Sequence, residues 1–316
     1  MRFSVVVPVF NAEHSIRHAL QSVLSQSIRP AEILVVDDGS TDRSAEASSA
    51  FEGVRILRQP NRGVSAARNV GIREARHEWI AFLDADDEFL PGKLEASVAS
   101  LTSGAETSLV YSGFRWELSD RKVLDFVPPP PAELYGQLRF SCPLQTSAIV
   151  AARASLLELG GFDEHLAVAE DWDLWFRFSR RYSPRSMARI TAPLVLYHHS
   201  PGSLSSKPLR QMEHYLRLLD ERFLTDVRGV ARFAYRRQGR ARFLADAFIG
   251  LREAEAREDM TLLLRSLAEW PLPSSVVPWS RLRMLLLALS RSLRLRPRLS
   301  PPTLPSDAVS REDRRA

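Results

Sequence analysis

An α/β fold with a doubly wound, mainly parallel sheet is what the first hundred residues predict, and three observations carry that expectation. Short β-branched runs alternate with longer stretches whose apolar residues recur at helical spacing. The intervening helices are too long for hairpins and suit crossover connections between parallel strands. Acidic and amide residues crowd where the apolar runs end, which is where open α/β sheets bind ligands.

Phe3–Val9 (FSVVVPV) reads as a buried strand, and residues 13–26 as a helix with Ile16, Leu20, Val23 and Leu24 on one face. Strands follow at 33–36, 54–57 and 79–83, separated by helices at 42–49 and 64–75. Beyond Leu101 the pattern changes. Residues 109–113, 114–118 and 122–127 read as short strands or hairpin pieces, and Pro128–Pro131 with Tyr135–Gly136 as loop. A strand is expected at 145–150, a short helix at 154–160 closed by glycine, a strong helix at 170–181 and a last strand at 193–199. From Leu209 to Trp270 the chain reads as helical and arginine-rich. Pro271–Pro278 reads as a linker, residues 280–295 as a basic amphipathic segment, and the Pro/Ser/Arg tail from Pro297 as disordered. The expected organisation is therefore a domain over 1–206, a helical region over 207–270, and a linker, amphipathic segment and tail over 271–316.

The 316-residue chain is 45% hydrophobic and 26% charged, enough to bury a core. Its single cysteine, Cys142, excludes an internal disulfide and fits a reducing compartment. The opening MRFSVVVPVF is too short an apolar run for a signal peptide, and no apolar stretch is long enough to span a bilayer. A cytoplasmic protein is expected. The net charge of +5 conceals an asymmetry: residues 207–316 hold 22 Lys+Arg against 13 Asp+Glu, while residues 1–206 hold 21 against 25. The basic rear could meet an anionic surface, and a peripheral membrane contact on the inner face of the plasma membrane is expected of it. Nucleic-acid binding is not expected, because aromatic interleaving is poor and no known motif appears.

The chemistry concentrates in acidic clusters. FLDADD (82–87) drives an apolar strand into three aspartates, an arrangement that needs a cation to offset its charge. Asp84 and Asp86 are spaced to leave the strand on one side, as carboxylate ligands of Mg²⁺ or Mn²⁺ do. VVDDGSTD (35–42) repeats the arrangement on a second strand. Ser40, Thr41 or Asp42 can cap the following helix, whereas Asp38 reads as a ligand-binding residue. No GxGxxG and no GxxxxGK[ST] follows the first strand, which removes a dinucleotide fingerprint and a P-loop. Glu170 and Asp171 stand at a helix start, where the macrodipole favours carboxylates regardless of function; both are also candidates for a general base.

Taken in order, PVFNAE (8–13), VVDDGSTD (35–42), NRGVSAARNVGI (61–72), FLDADD (82–87) and AEDWDLW (169–175) resemble the family 2 glycosyltransferases of the GT-A fold. The resemblance covers residues 1 to about 206 and implies an inverting enzyme that uses a nucleotide-sugar, a UDP-sugar being the first expectation, with Mn²⁺ or Mg²⁺. It implies that Pro8, Phe10, Asn11 and Glu13 line the nucleotide pocket and that Asp38 binds the base. Asn61, Ala66, Arg68 and Asn69 would border the donor, Asp84 would approach its ribose or sugar, and Asp86 would hold the metal on the diphosphate. Of the two candidate bases the resemblance favours Asp171. The family also often carries a histidine five positions before a serine near residue 205. Here that position is Ser200, and His199, one place out of register, is the candidate metal ligand. Trp172, Trp175 and Phe176 read as core by spacing, with Trp172 also able to stack on an acceptor sugar. The acceptor implied is a hydroxyl of a glycan or lipid-linked glycan in bacterial cell-surface polysaccharide assembly. The alternatives are a catalytically inactive nucleotide-binding interaction protein of the same fold and a sugar nucleotidyltransferase, the latter disfavoured by the missing glycine- and lysine-containing phosphate loop.

Overall fold

A computed structural model describes residues 1–103, 106–117, 123–198 and 214–253. Among them nine strands form one sheet: β1 (Phe3–Val9), β2 (Glu32–Asp37), β3 (Val54–Arg58), β4 (Trp79–Phe82), β5 (Glu88–Phe89), β6 (Leu109–Glu117), β7 (Val123–Phe126), β8 (Ile149–Ala152) and β9 (Met187–His198). The spatial order is β3-β2-β1-β4-β8-β6-β9-β5, with β7 paired to β6. β1 runs parallel to β2 and to β4, and β2 parallel to β3. β8 is antiparallel to both neighbours, and β6 runs parallel to β9. The carboxyl ends of β1, β2, β4, β6 and β9 therefore share one edge of the sheet.

β1 is buried along its whole length because it is covered on both faces, which is why its apolar run is continuous rather than alternating. Val5, Val7 and Val9 pack with Ile16, Leu20 and Val23 of helix α1 (Ile16–Leu24). Val6 faces the opposite layer, built on α3 (Val64–Glu74), α6 (Arg153–Glu158) and α7 (Glu170–Arg181). Gly71 of α3 lies so close to the strand that a Cβ there would come 2.2 Å from Val6 Cγ1. Glycine is what lets the helix approach the sheet at this point. On the first face, α2 (Ser44–Ser49) and α4 (Lys93–Ser103) complete the layer. Lys93, fully buried, donates from Nζ to Ala148 O (2.6 Å) and Ser112 Oγ (3.1 Å), and burial pushes its pKa down to about 7.

Several expectations change. Leu109–Glu117 form one strand where two pieces were expected. β9 starts at Met187, six residues before Pro193, and the two-residue β5 has no sequence signal of its own. Thr146–Ala148 form a 3₁₀ turn, and β8 begins only at Ile149, where a strand was expected from residue 145. Pro131 opens a helix, α5 (Pro131–Gln137), that includes Tyr135 and Gly136. Proline is well tolerated at a first helical position, where its missing N–H costs nothing.

After residue 213 the described chain is helical, with a π-helical turn at Leu219–Phe223 and a long helix at Gly229–Glu253. Leu218, Leu219, Phe223, Leu224 and Phe243 belong to the same buried cluster as Phe82, Ile149 and Trp175. Trp172 stacks on Phe223 (5.0 Å) and meets Tyr215 (5.1 Å) and Phe243 (5.7 Å) edge-on. Its Nε1 donates to Leu138 O. Trp172 is thus largely buried in this cluster, and it also borders the cleft that holds Asp171. Two polar ties secure the helical segment: Arg139 to Asp226 (2.6 Å), and Arg222 to Asp163 (2.8 Å) and Asp173 (3.2 Å). No described helix is long and apolar enough to cross a membrane. The linker, the basic segment at 280–295 and the tail lie outside the described residues, as does the boundary expected at 206.

The Gly71→Ala variant is expected to lose about 1–3 kcal/mol through overpacking against Val6. Urea denaturation measures this, and an unchanged midpoint means that β1 and α3 have room to separate.

Candidate active site

The site forms at the shared carboxyl edge, and its elements are tied together before any ligand enters. The loop after β1 and the loop after β2 clasp each other. Asn11 N–H donates to Ser40 Oγ (3.1 Å), and Thr41 N–H donates to Asn11 Oδ1 (2.9 Å). Glu13 N–H donates to Asp42 Oδ2 (3.0 Å), and Arg43 N–H returns to Glu13 Oε2 (3.0 Å). Asp42 also accepts the Ser44 N–H (3.0 Å) at the start of α2, doing the work of a cap. Asn11 adopts a left-handed conformation with φ of 50°, which asparagine tolerates better than most residues.

Asp38 is almost fully buried. Its carboxylate accepts from Gln59 Nε2 (2.6 Å), Arg62 N–H (2.9 Å) and Gly63 N–H (2.8 Å). Three of its roughly four acceptor positions thus fix the entry to α3. Arg68 of α3 is buried and forks: Nη2 donates to Asp84 Oδ1 (2.7 Å) and Nη1 to Glu170 Oε1 (2.9 Å). Its guanidinium rests over the Phe162 ring at 5.1 Å, and Phe162 meets Phe82 and Trp175 edge-on beneath. A buried cation between two carboxylates stays charged, and its pKa is raised by Asp84 and Glu170 against the opposing effect of burial.

Asp84 and Asp86 line the same cleft, whereas Asp87 turns inward and is fully buried. The segment Gln145-Thr146-Ser147 holds this loop in place. Ser147 Oγ accepts the Asp84 N–H (3.0 Å) and donates to Asp87 Oδ2. Gln145 Nε2 also donates to Asp87 Oδ2 (3.3 Å). Burial, then Asp84 and Asp86, push Asp87 well above the usual carboxylate range. Thr146 Oγ1 reaches Asp171 Oδ2 at 3.4 Å.

Helix α7 begins immediately after Ala169, whose φ of 60° is left-handed. For alanine that conformation costs on the order of 1–2 kcal/mol, and it aims Glu170 and Asp171 into the cleft. Burial and the adjacent Glu170 charge push Asp171 up to about 7, against the lowering effect of Arg68. The cleft, of about 320 Å³, is lined by Arg68, Asp84, Asp86, Glu170 and Asp171, together with Cys142, Tyr197 and Tyr215. Cys142 is a half-buried thiol whose pKa burial raises further.

The structure thus brings Arg68, Asp84, Asp86, Glu170 and Asp171 into one cleft. Asn11 and Glu13 serve the clasp at its side, while Pro8 is buried in β1 and Phe10 is exposed just beyond it. Asn61 is exposed next to Gly39, whose missing side chain lets the two loops meet: a Cβ there would lie 2.8 Å from Asn61 N. Ala66 is buried on α3. Asn69 is turned away from the cleft, donating to Phe162 O (2.8 Å) and Glu164 Oε1 (3.0 Å) and accepting the Phe162 N–H (2.8 Å). His199 lies outside the described residues. Its neighbour His198 places Nδ1 2.9 Å from Glu117 Oε2 and Nε2 3.3 Å from Glu88 Oε1. Sequence reasoning missed Gln145, Thr146, Ser147 and Tyr197, whose membership depends on long-range pairing of β8 with β4 and of β9 with β6.

Residues 4–140 match the family model described as Glycosyl transferase family 2. The chain is 33% identical over 187 residues to an uncharacterized glycosyltransferase of Rickettsia typhi, covering 56% of this chain and 58% of that one. It is 30% identical over 230 residues to the uncharacterized glycosyltransferase EpsJ of Bacillus subtilis, covering 66% and 64%. The chain spans less than two thirds of the length of either relative. Among solved structures, S. aureus TarS 1–349 in complex with UDP-GlcNAc superposes with a TM-score of 0.61 at 21% identity, covering 93% of this chain and 88% of that one. The mannosyltransferase PcManGT from Pyrobaculum calidifontis, in complex with GDP-Man and Mn²⁺, gives 0.55 at 18%, covering 92% and 80%. The fold is that of the GT-A glycosyltransferases.

The donor set fits the hard divalent cation that such a reading implies. Among the described residues no three His, Cys, Asp or Glu side chains enclose a metal position. Asp84 and Asp86 at the cleft wall are the one or two carboxylates that Mg²⁺ or Mn²⁺ takes when phosphates and waters complete its shell. Among the described residues that line the cleft, Arg68 is the one basic side chain beside Asp84, Asp86, Glu170 and Asp171, a balance to which a cation is suited.

Ser147→Ala is expected to cost about 1–3 kcal/mol, since it strands the Asp84 N–H and leaves the buried Asp87 Oδ2 with Gln145 alone. Chemical denaturation reads this directly, and a wild-type midpoint means that another group holds the loop.

Proposed function

We propose that this protein is an inverting family 2 glycosyltransferase that moves a sugar from a nucleoside-diphosphate donor to a hydroxyl of a glycan or lipid-linked glycan. The observation that carries the reading is the convergence of Arg68, Asp84, Asp86, Glu170 and Asp171 on one cleft at the carboxyl edge of the sheet. The sequence match over 4–140 and the GT-A fold support it. The likeness to relatives described as glycosyltransferases, EpsJ among them, supports sugar transfer, and a role in cell-surface polysaccharide assembly is carried forward from the sequence resemblance. The expected division of the chain, with a transferase unit over 1–206 and a helical region behind it, belongs to the same proposal.

Asp84 and Asp86 would hold Mn²⁺ or Mg²⁺, which when bound offsets negative charge on the departing nucleoside diphosphate. The nucleotide would lie along the clasped loops, with the remaining acceptor capacity of Asp38 turned to the base. Arg68 keeps Asp84 and the start of α7 at fixed separation, so the donor and the base do not drift apart. Asp171 takes the acceptor hydroxyl's proton as that oxygen attacks the anomeric carbon from the face opposite the diphosphate. A single displacement of this kind inverts the anomeric centre. A base whose pKa stands near neutrality holds the proton well once it has it, and positioned carboxylates of this sort contribute roughly 10²–10⁴-fold. Glu170 is committed to Arg68 and shapes the base rather than replacing it.

Calorimetry with UDP, GDP, dTDP and CDP, with and without Mn²⁺, tests the donor half. One nucleotide is expected to bind in a metal-dependent way, and Asp86→Ala is expected to abolish that dependence. Failure of all four nucleotides removes the transferase reading.

Turnover tests the base. Asp171→Asn is expected to lower kcat by about 10²-fold or more with nucleotide affinity kept. In the wild type, kcat/KM is expected to rise with pH as Asp171 loses its proton, levelling off above about 7. A pH-independent rate between pH 5 and pH 8, both far above an ordinary aspartate's value of about 3.9, assigns the base elsewhere.

A further inference from the structure

Three strands carry an aromatic face away from the cleft that the donor chemistry does not use. Tyr197, near the end of β9, is part of the cleft wall. Its ring centroid is 6.1 Å from that of Trp116 on the adjacent β6. Trp116 lies 5.8 Å from Phe126 of β7, which in turn stacks on Phe114 at 5.0 Å. Cross-strand register places Leu124 opposite Trp116 and Phe126 opposite Phe114. These side chains share one face because alternate residues of a strand do so. The outer part is open to solvent: Leu124 is 46% and Phe126 39% exposed. An exposed apolar face of this kind, contiguous with a cleft, marks an interaction surface.

We propose that this face is a platform for the acceptor glycan, on which sugar rings stack as they lead into the cleft. The proposal rests on the glycosyltransferase reading and names its acceptor as an extended, uncharged oligosaccharide. Three features select that occupant. The platform is continuous with the cleft through Tyr197, so a chain seated on it delivers its end to Asp171. Neighbouring strands are about 4.8 Å apart, so the platform runs roughly 10 Å from β9 to β7, long enough for more than the reacting ring. Among the described residues, the carboxylates at the same strand ends are Glu88 and Glu117, both on His198, and Asp125, which is held by Arg115 (2.8 Å). Carboxylates there accept hydrogen bonds from sugar hydroxyls.

Calorimetric titration of the full chain with neutral hexasaccharides of glucose, mannose and N-acetylglucosamine, and with the matching monosaccharides, tests the platform without nucleotide present. At least one hexasaccharide is expected to bind. Trp116→Ala and the double variant Leu124→Ser/Phe126→Ser are expected to weaken it about tenfold or more, the usual cost of losing an aromatic anchor. Monosaccharide binding and nucleotide–Mn²⁺ binding are expected to stay at wild-type values, and the latter also shows that each variant is folded. Binding of no hexasaccharide by the wild type overturns the proposal, as does equal binding by wild type and both variants. Flotation of the wild type with phosphatidylglycerol vesicles, lost in the variants while hexasaccharide affinity is unmoved, gives the face to lipid and likewise overturns it. Failure of wild-type nucleotide–Mn²⁺ binding is a separate result, which strikes the transferase reading itself.

Discussion

The site depends on the fork made by Arg68. The Arg68 guanidinium, buried against Phe162, has lost its hydration, and Asp84 and Glu170 pair with it directly. Taking either partner away leaves a charge stranded in apolar surroundings, a loss on the order of 3–5 kcal/mol for pairs of this kind. The geometry is therefore strongly enforced: the loop after β4 and the first turn of α7, distant in sequence, are pinned to one helix. Asp84 and Asp86, which line the cleft beside this fork, are the carboxylates proposed to meet a cation. The fork also separates roles among neighbouring carboxylates, since Glu170 and Asp171 are adjacent in the chain but only Glu170 is spent on the arginine.

Strain and satisfaction divide along the same line. Asn11 and Ala169 are the two non-glycine residues in left-handed conformations among those described, and both stand where an element turns into the site. Around them the polar groups are well provided for. Asp38, Asp42 and Asn11 stitch two loops together through backbone donors, and Ser147 with Gln145 holds the buried Asp87. A rigid frame of this sort lets the cleft keep several like charges close without the loops swinging apart.

Much of this was legible in the sequence because the central strands are covered on both faces. The unbroken apolar runs of β1 and β2 announce burial, and the aspartates that follow announce the edge where ligands sit. Legibility fails where local signals conflict with tertiary ones. Pro131 looks like a breaker yet begins a helix, and β5 is too short for any period to show. The alternation of Met187–Ala192 is half polar because that stretch of β9 is only partly covered. Asn69 meets Phe162 and Glu164, and that pairing is set by the loop packed beside α3 rather than by its own motif. Gln145–Ser147 has no motif at all; its place is set by which strand pairs with β4, and that pairing is long-range.

The shared core of the helical segment and α7 has a consequence for how the chain reaches this state. Trp172 and Phe176 stay uncovered until Phe223 and Phe243 arrive, some 50 to 70 positions later in synthesis. A ribosome adding about 5–20 residues per second leaves that aromatic surface bare for seconds after α7 has emerged. The newborn sheet is therefore sticky on the side next to α7, and a chaperone holding that side would shield the chain until its closing helices are made.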